Sequence, residues 1–591
     1  MPGLTDVERR VVAAAQAGAK ADLTGADDRE VRAEVVRDLL TDGRGLRLTG
    51  ARVVGGLDLE GARVGGALRL VECDLTGPVS LRGAGVPLLD LRRSRLVSLS
   101  ATEASIERVA LLSGVEVAAG LSLEGMRVGA GCSLQGAVLR NPDGPALVAD
   151  RVRLSSELLL HRLVADGTGR RGAVRLQGAR VDGRISGHGL QITNPSGPAL
   201  VADNLQATET VYLSNGSVLR GHGDRGAVRF VGARLGSLSL GGARVENPAG
   251  WAVAAHYLEV TGTLYLDRME ATGGLRISGG RLGGQLDLAG SRVAGGELSA
   301  LAATRLQVAQ AVVMDDAVLC STGERPTVDL LSARVAGDLE LRRTRLSHPA
   351  GGTALRLNTA TVEGRVVLSE TEVDSGELDY RDSTIGALFD APERLPAGVT
   401  VRAGGLVYRG IPGHPGVTVR QRLDWLGRMP AYAAQPYRQV AAAYQAAGHS
   451  DDARRVLVAQ QEHLRRSGAL KTRWSRLRHR LFGLTLQYGY QPLRAVALLA
   501  ATLVAAGLIF GLAAGGTRTE AGGRCPVVDR IGLAIDTAVP LVSTGADDRC
   551  RLATETGSGQ ALAAAGWVLT LLGWGSATLV VAGYTGLVRR P

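Results

Sequence analysis

Aromatic side chains are scarce in this chain, at 3% of 591 residues. Enzyme cores of this size normally draw on Phe, Tyr and Trp for volume, so the shortage points to a repetitive fold filled by Leu, Val and Ala. Lysine is nearly missing too: Lys20 and Lys471 are the only two, and almost every cation is Arg. Motifs that carry chemistry are also missing. There is no HExxH, no GxxxxGK[ST] phosphate loop, and no His beside a Cys or Ser nucleophile among the nine His. The carboxylate pairs Asp315–Asp316 and Asp547–Asp548 read as exposed turns. No catalytic residue, cofactor, metal site or small-molecule substrate is therefore expected.

The five cysteines show neither CxxC nor zinc spacing. Cys73, Cys132 and Cys320 stand alone and read as small buried hydrophobes. The opening "MPGLTDVERR" has no basic stretch followed by an apolar run, so no signal peptide is expected.

Glycine is abundant, at 81 residues, and it punctuates a repeat. From Leu46 the chain divides into fives, "LRLTG ARVVG (G) LDLEG ARVGG", whose first and third residues are small or aliphatic. Alternate residues of an extended segment share a face, so these two point inward together while Gly permits a corner. Stacked coils of this kind bury a continuous apolar column, which is the logic of a β-solenoid. A longer repeat overlies the short one: "NPDGPALVAD", "NPSGPALVAD" and "NPAGWAVAAH" begin at Asn141, Asn194 and Asn247, each 53 residues after the last. "GTGRRG" at 167–172 has the G-x-G-x-x-G spacing of a dinucleotide loop, and "GHGDRG" at 221 echoes it. Both run into period-two strand patterns and not into a helix, so they read as solenoid turns.

Arg recurs in the "GARV" unit, at Arg52, Arg63, Arg127, Arg180, Arg234, Arg244, Arg292 and Arg334. The first five mark a candidate interaction face. Interleaved acids such as Asp58, Glu60, Glu124 and Asp182 leave the region near neutral, so no nucleic-acid partner is expected.

Two stretches are long and apolar enough to cross a bilayer, 495–514 and 561–587. Between Arg420 and Arg494, fourteen Arg/Lys face four acids, the bias of a cytoplasmic flank. This predicts two spans with the solenoid and both ends in the cytoplasm. Cys525 and Cys550 then fall in the external loop, where a disulfide is expected. "KTRWSRLRHRLFGL" before the first span is basic and amphipathic. It offers Arg473, Trp474, Arg476, Arg478 and Arg480 as candidate contacts for anionic lipid or a partner.

The chain thus reads as a helical cap (1–45), solenoid (46–390), linker (391–420), helical collar with a basic juxtamembrane segment (421–494), span (495–514), loop (515–560), span (561–587) and tail (588–591). In the cap, "TDVERRVVAAAQAG" and "DDREVRAEVVRDLLTDG" predict two helices, the second with acids at its start.

The five-residue pattern resembles the pentapeptide-repeat family, with Leu and Val where Phe is frequent there. The resemblance implies a four-sided, right-handed parallel β-helix, a shape shared without a common chemistry. The full order, from helical cap through "GARVxGxLDL" repeats, helical hairpin and "YGYQPLRA" to two spans, resembles large membrane proteins of high-GC bacteria commonly named "membrane-associated oxidoreductase". That likeness implies a bacterial inner-membrane location and a cytoplasmic solenoid, and it transfers no catalytic residue. The expected function is a non-enzymatic, membrane-anchored scaffold that binds a protein partner or itself. A channel-like or signalling subunit is the alternative, since "AIDTAVPLVSTG" lies where a filter would be without a T-x-G-Y-G ladder. A redox enzyme, as the family name suggests, is the third.

Overall fold

In the computed structural model, residues 3–349, 351–410, 417–468, 472–486, 493–539 and 542–584 are described. The tail 588–591, residues 487–492 of the juxtamembrane segment and most of the "GIPGHPG" linker (411–416) lie outside them. The chain forms two compact units, Met1–Pro430 and Ala431–Pro591.

The first unit is a parallel β-solenoid of about 15 turns. At the strand spacing of ~4.8 Å, that makes a rod about 70 Å long. Each coil contributes four short strands, which stack in four columns. Column one runs Leu46–Leu68–Leu89–Ala110–Cys132. Column two starts Glu30–Arg52–Asp74–Arg95. Column three starts Leu57–Val79–Leu99, and column four Arg63–Gly85–Ser105–Arg127. Columns one and four belong to one sheet, and two and three to the other.

Most strands are only two residues long, one side chain in and one out. The inward residues, such as Leu46, Leu48, Val53, Leu57 and Leu59, are buried. Each burial of this kind contributes about 2 kcal/mol, so the stack and not any single strand supplies stability. Corners turn through a left-handed residue. Leu59 C=O accepts from Ala62 N–H at 3.1 Å, with Gly61 at φ +64. Where glycine is absent a charged residue takes the same conformation, as at Arg93 (φ +57) and Glu103 (φ +56), at a cost of roughly 1 kcal/mol each.

The coils come in two lengths, and the 53-residue repeat is two long ones. Register steps from Leu89 to Ala110 in a short coil and from Leu158 to Ile185 to Val211 in long ones. The extra residues lie in loops between columns two and three, and include the glycine hexapeptide. Gly167 ends strand Val164–Gly167, and the next element is strand Val174–Arg175, so this loop opens no helix. The repeat asparagines bind neighbouring loops together. Asn194 Nδ2 donates to Pro198 O (2.7 Å) and to Gly169 O (2.8 Å). Asn247 Nδ2 does the same to Trp251 O and Gly223 O, both at 2.8 Å.

The ladder extends beyond the interval where the fives are legible. Ala21–Asp22 and Glu30–Arg32 precede it, and Thr400–Arg402 and Val407–Gly410 follow. Helix α1 (Asp6–Gln16) has a Thr5/Glu8 capping box. Helix α2 (Ala33–Thr41) begins later than its acids suggested: Glu30–Arg32 is a strand paired with Arg52–Val54, because edge pairing outweighs a helical first turn there. At the other end, α3 (Val419–Gly427) lays Trp425 against Tyr380, ring centroids 6.2 Å apart.

In the second unit α4 (Ala434–Ala446) and α5 (Ser450–Arg466) form a hairpin, joined by Tyr437 Oη to His463 Nδ1 at 2.6 Å. Helix α6 (Arg473–Leu486) follows. Among the described residues, two helices are long and apolar enough to cross a membrane. They are α7 (Leu493–Leu512) and α9 (Gly557–Tyr584), the latter by its segment Gly557–Ala582. Between them lies α8 (Val527–Ala538). Leu533, Ala534 and Ala538 of α8 share a buried cluster with Ala506 and Phe510 of α7 and with Leu562 and Leu569 of α9. Thr570 Oγ1 donates to Thr537 O at 2.9 Å, and Ala538 C=O occupies the space that a side chain at Gly573 would need. Thr570 is about 20 Å along α9 from Gly557 at 1.5 Å per residue. Helix α8 therefore descends alongside the two apolar helices instead of resting above them.

Candidate functional site

The ten-residue spacing is half a coil, so a "GARV" unit occurs on two sides of the rod. Arg63, Arg127, Arg180 and Arg234 fall in column four with Arg281 and Arg334, whereas Arg52 falls in column two with Arg95, Arg244 and Arg292. The five arginines read as one face thus occupy two. In each "ArgVal" or "ArgLeu" pair the aliphatic residue points in, which turns the guanidinium out.

Column two alternates charge from Glu30 to Glu116 and again from Arg244 to Arg292. Arg52 pairs with Glu30 (3.7 Å), Arg95 with Glu116 (3.3 Å) and Arg244 with Glu270 (2.6 Å). In column four Glu259 is held by Arg234 (3.0 Å) and Arg281 (3.7 Å). These exposed pairs contribute little individually, but they cancel repulsion between stacked coils. Beside column four runs a groove of about 910 Å³, lined from Arg180 through Arg234, Arg281 and Arg334 to Glu363. A second, of about 490 Å³, continues it toward Ser105 and shares Arg180 and Asp182. Arg153, which also lines it, escapes the sequence pattern because its unit reads "DRVRL" and not "GARV". Its spacing, 26 residues after Arg127 and 27 before Arg180, was the available signal.

On α6, Arg473, Trp474, Arg476, Arg478 and Arg480 are all exposed, and Trp474 shows 72% of its surface. None of the four arginines has an ion-pair partner among the described residues. Arg473, Arg476 and Arg480 follow one stripe and Trp474 and Leu477 the next, an arrangement suited to a phospholipid headgroup layer. His479 Nε2 and Gln461 Oε1, 3.1 Å apart, tie α6 to α5. Between α7 and α9, Cys525 and Cys550 are joined in a disulfide. It clamps the start of α8 to the short antiparallel pair Thr517–Thr519 and Cys550–Leu552.

Nucleophilic chemistry is poorly served. Burial pushes the Cys73 thiol up to about 11 and that of Cys132 up to about 12, and it raises Cys320 as well. Ser214 Oγ lies 3.0 Å from His188 Nδ1, but Ser214 is buried and His188 is flanked by the His161 and Tyr212 rings, with no carboxylate bonded to it among the described residues. Burial and the His188 ring lower the His161 pKa. No group of three His, Cys, Asp or Glu among the described residues is placed to hold a metal ion.

The sequence matches no protein-family profile, and no curated protein is significantly similar to it.

Proposed function

We propose that this chain is a membrane-anchored scaffold whose solenoid presents a rigid, charge-patterned rod to a protein partner. One observation carries the reading: column four sets exposed Arg and Gln, with half-buried Glu259 and Thr361, in register along a continuous groove. A surface of this kind recognises by shape and charge pattern, as solenoid faces do. The Arg-rich, Trp-bearing α6 beside two apolar helices supports attachment to a bacterial cytoplasmic membrane with the solenoid inside the cell. A photocrosslinking residue at Gln307, in the groove, is the test. A discrete adduct that disappears with Arg281→Glu and is not formed from Val318 in column two supports the scaffold. Equal yield from both positions, or none from either, contradicts it.

The descent of α8 favours a second reading, a channel-like subunit. A short helix packed between two spans, with its return segment held by Asp536, has the layout of a pore element. The Asp536 carboxylate accepts from Thr544 N–H (2.5 Å), Thr544 Oγ1 (3.0 Å) and Ala546 N–H (3.3 Å). Reproducible unitary conductance from the purified chain in planar bilayers, abolished by Asp536→Ala, would establish this reading over the first.

A further inference from the structure

Like charges stack in register as a pair at Arg47 and Arg69 of column one, and as a run of three in column four. In column four Arg127, Arg153 and Arg180 stack directly on one another, Arg127 in register with Arg153 and Arg153 with Arg180. All three are exposed, and none lies within ion-pair distance of a carboxylate among the described residues. Like charges in register oppose stacking, and elsewhere the same columns interleave acids to relieve it. The row is bounded by neutral residues, Ser105 before it and Gln206 after it.

The groove beside the row repeats the pattern. Glu107 and Asp182 stand at its two ends, whereas Gly129 and Ser155 occupy the middle coils, so its centre offers guanidinium and hydroxyl donors with open space between them. At about 490 Å³ it has the size of a small-molecule site. Its lining contains no aromatic residue on which a base would stack, which disfavours a nucleic-acid strand.

We infer that Arg127, Arg153 and Arg180 form a binding site for an oligophosphate chain. Two coil steps of ~4.8 Å set the guanidinium origins about 10 Å apart end to end, a span suited to two or three linked phosphates. Planar guanidinium forks bind phosphate oxygens in pairs, and the ligand's charge replaces the acids the row lacks. Inorganic oligophosphate and the phosphate tail of a nucleotide share this chemistry.

The test is calorimetric titration of the full chain in detergent, at physiological ionic strength, with tripolyphosphate and separately with ATP. The site predicts one tripolyphosphate per chain, at least tenfold weaker in Arg153→Gln and unchanged in Arg244→Gln of the paired column. Arg153→Gln should also keep or raise the Tm, since it removes repulsion; a merely structural arginine would lower it. ATP tighter than tripolyphosphate would assign a nucleotide tail, and the reverse an inorganic chain, both within the proposal. Absence of tripolyphosphate binding, equal affinity in Arg153→Gln, or displacement only by single-stranded DNA or an acidic peptide would overturn it.

Discussion

Arg422 of α3 and Asp390 at the end of the solenoid form a buried, two-bonded ion pair: Nη1 meets Oδ2 at 2.9 Å and Nη2 meets Oδ1 at 2.7 Å. The guanidinium also lies 5.4 Å from the Trp425 ring centroid. Helix α3 is thereby fastened over the last coils, where strand edges would otherwise be exposed. Removing one partner strands the other charge, so Arg422→Ala should destabilise the first unit by about 3–5 kcal/mol. The double change Arg422→Met with Asp390→Leu should recover most of that. Thermal unfolding of the three proteins checks it, and a double variant as unstable as the single would refute it.

The opposite end is fastened by Glu8 and Arg32. Arg32 Nε and Nη2 donate to the two Glu8 carboxylate oxygens at 2.8 and 2.7 Å, with Glu8 buried. The Arg32 guanidinium holds the Glu8 carboxyl down at about 2, against an ordinary 4.5. A carboxyl depressed in the folded state stabilises it above the unfolded pKa, and this is lost as pH falls through the folded value. Discounting for the half-exposed Arg32, the loss is about 2 kcal/mol. Hydrogen exchange across residues 5–32 should be flat above pH 5 and rise between about 4.5 and 2, after correction for intrinsic rates. Glu8→Gln should remove that rise.

The repeated asparagines are structural ties between loops. Asn194 is 1% exposed and also accepts Ser196 N–H at 3.0 Å. Asn194→Ala should cost about 2–3 kcal/mol in local opening. Asn194→Asp should cost more, since it sets a carboxylate against the carbonyls of Gly169 and Pro198. Amide exchange in 165–200 gives the measurement.

Helix α8 should crosslink to the middle of α9. A Cβ built at Gly566 would lie 3.3 Å from Thr537 Cγ2. Thr537→Cys with Gly566→Cys, in a background free of other cysteines, should oxidise to an intramolecular disulfide in native membranes. Adding Gly573→Val should suppress it by filling the space taken by the Ala538 carbonyl.

Much of the first unit was legible because its rule is local. An inward pair every five residues is set by strand alternation alone, and Leu46 through Leu59 show it in one glance. What a local rule cannot show is which coil meets which. The ten-residue period made Arg52 and Arg127 look alike, though they stand in different columns, and it concealed that Arg127, Arg153 and Arg180 stack in register. The ties Glu8–Arg32 and Asp390–Arg422 join residues far apart in sequence, so no spacing announces them. Acids before Val31 imitate a helix start, yet Glu30–Arg32 has a strand edge within reach and takes it. Helix α8 was hidden in a loop short enough to pass for a surface connection.

The central proposal is that the solenoid is a cytoplasmic rod held at the membrane by α7 and α9. The most direct measurement is labelling of single-cysteine variants in intact cells with a membrane-impermeant thiol reagent, in a cysteine-free background. Gln206→Cys reports on the solenoid and Asp548→Cys on the segment between the spans, both exposed positions. The account predicts labelling at 548 alone, with 206 reacting only after lysis. Labelling at 206 in intact cells would put the rod outside and contradict it.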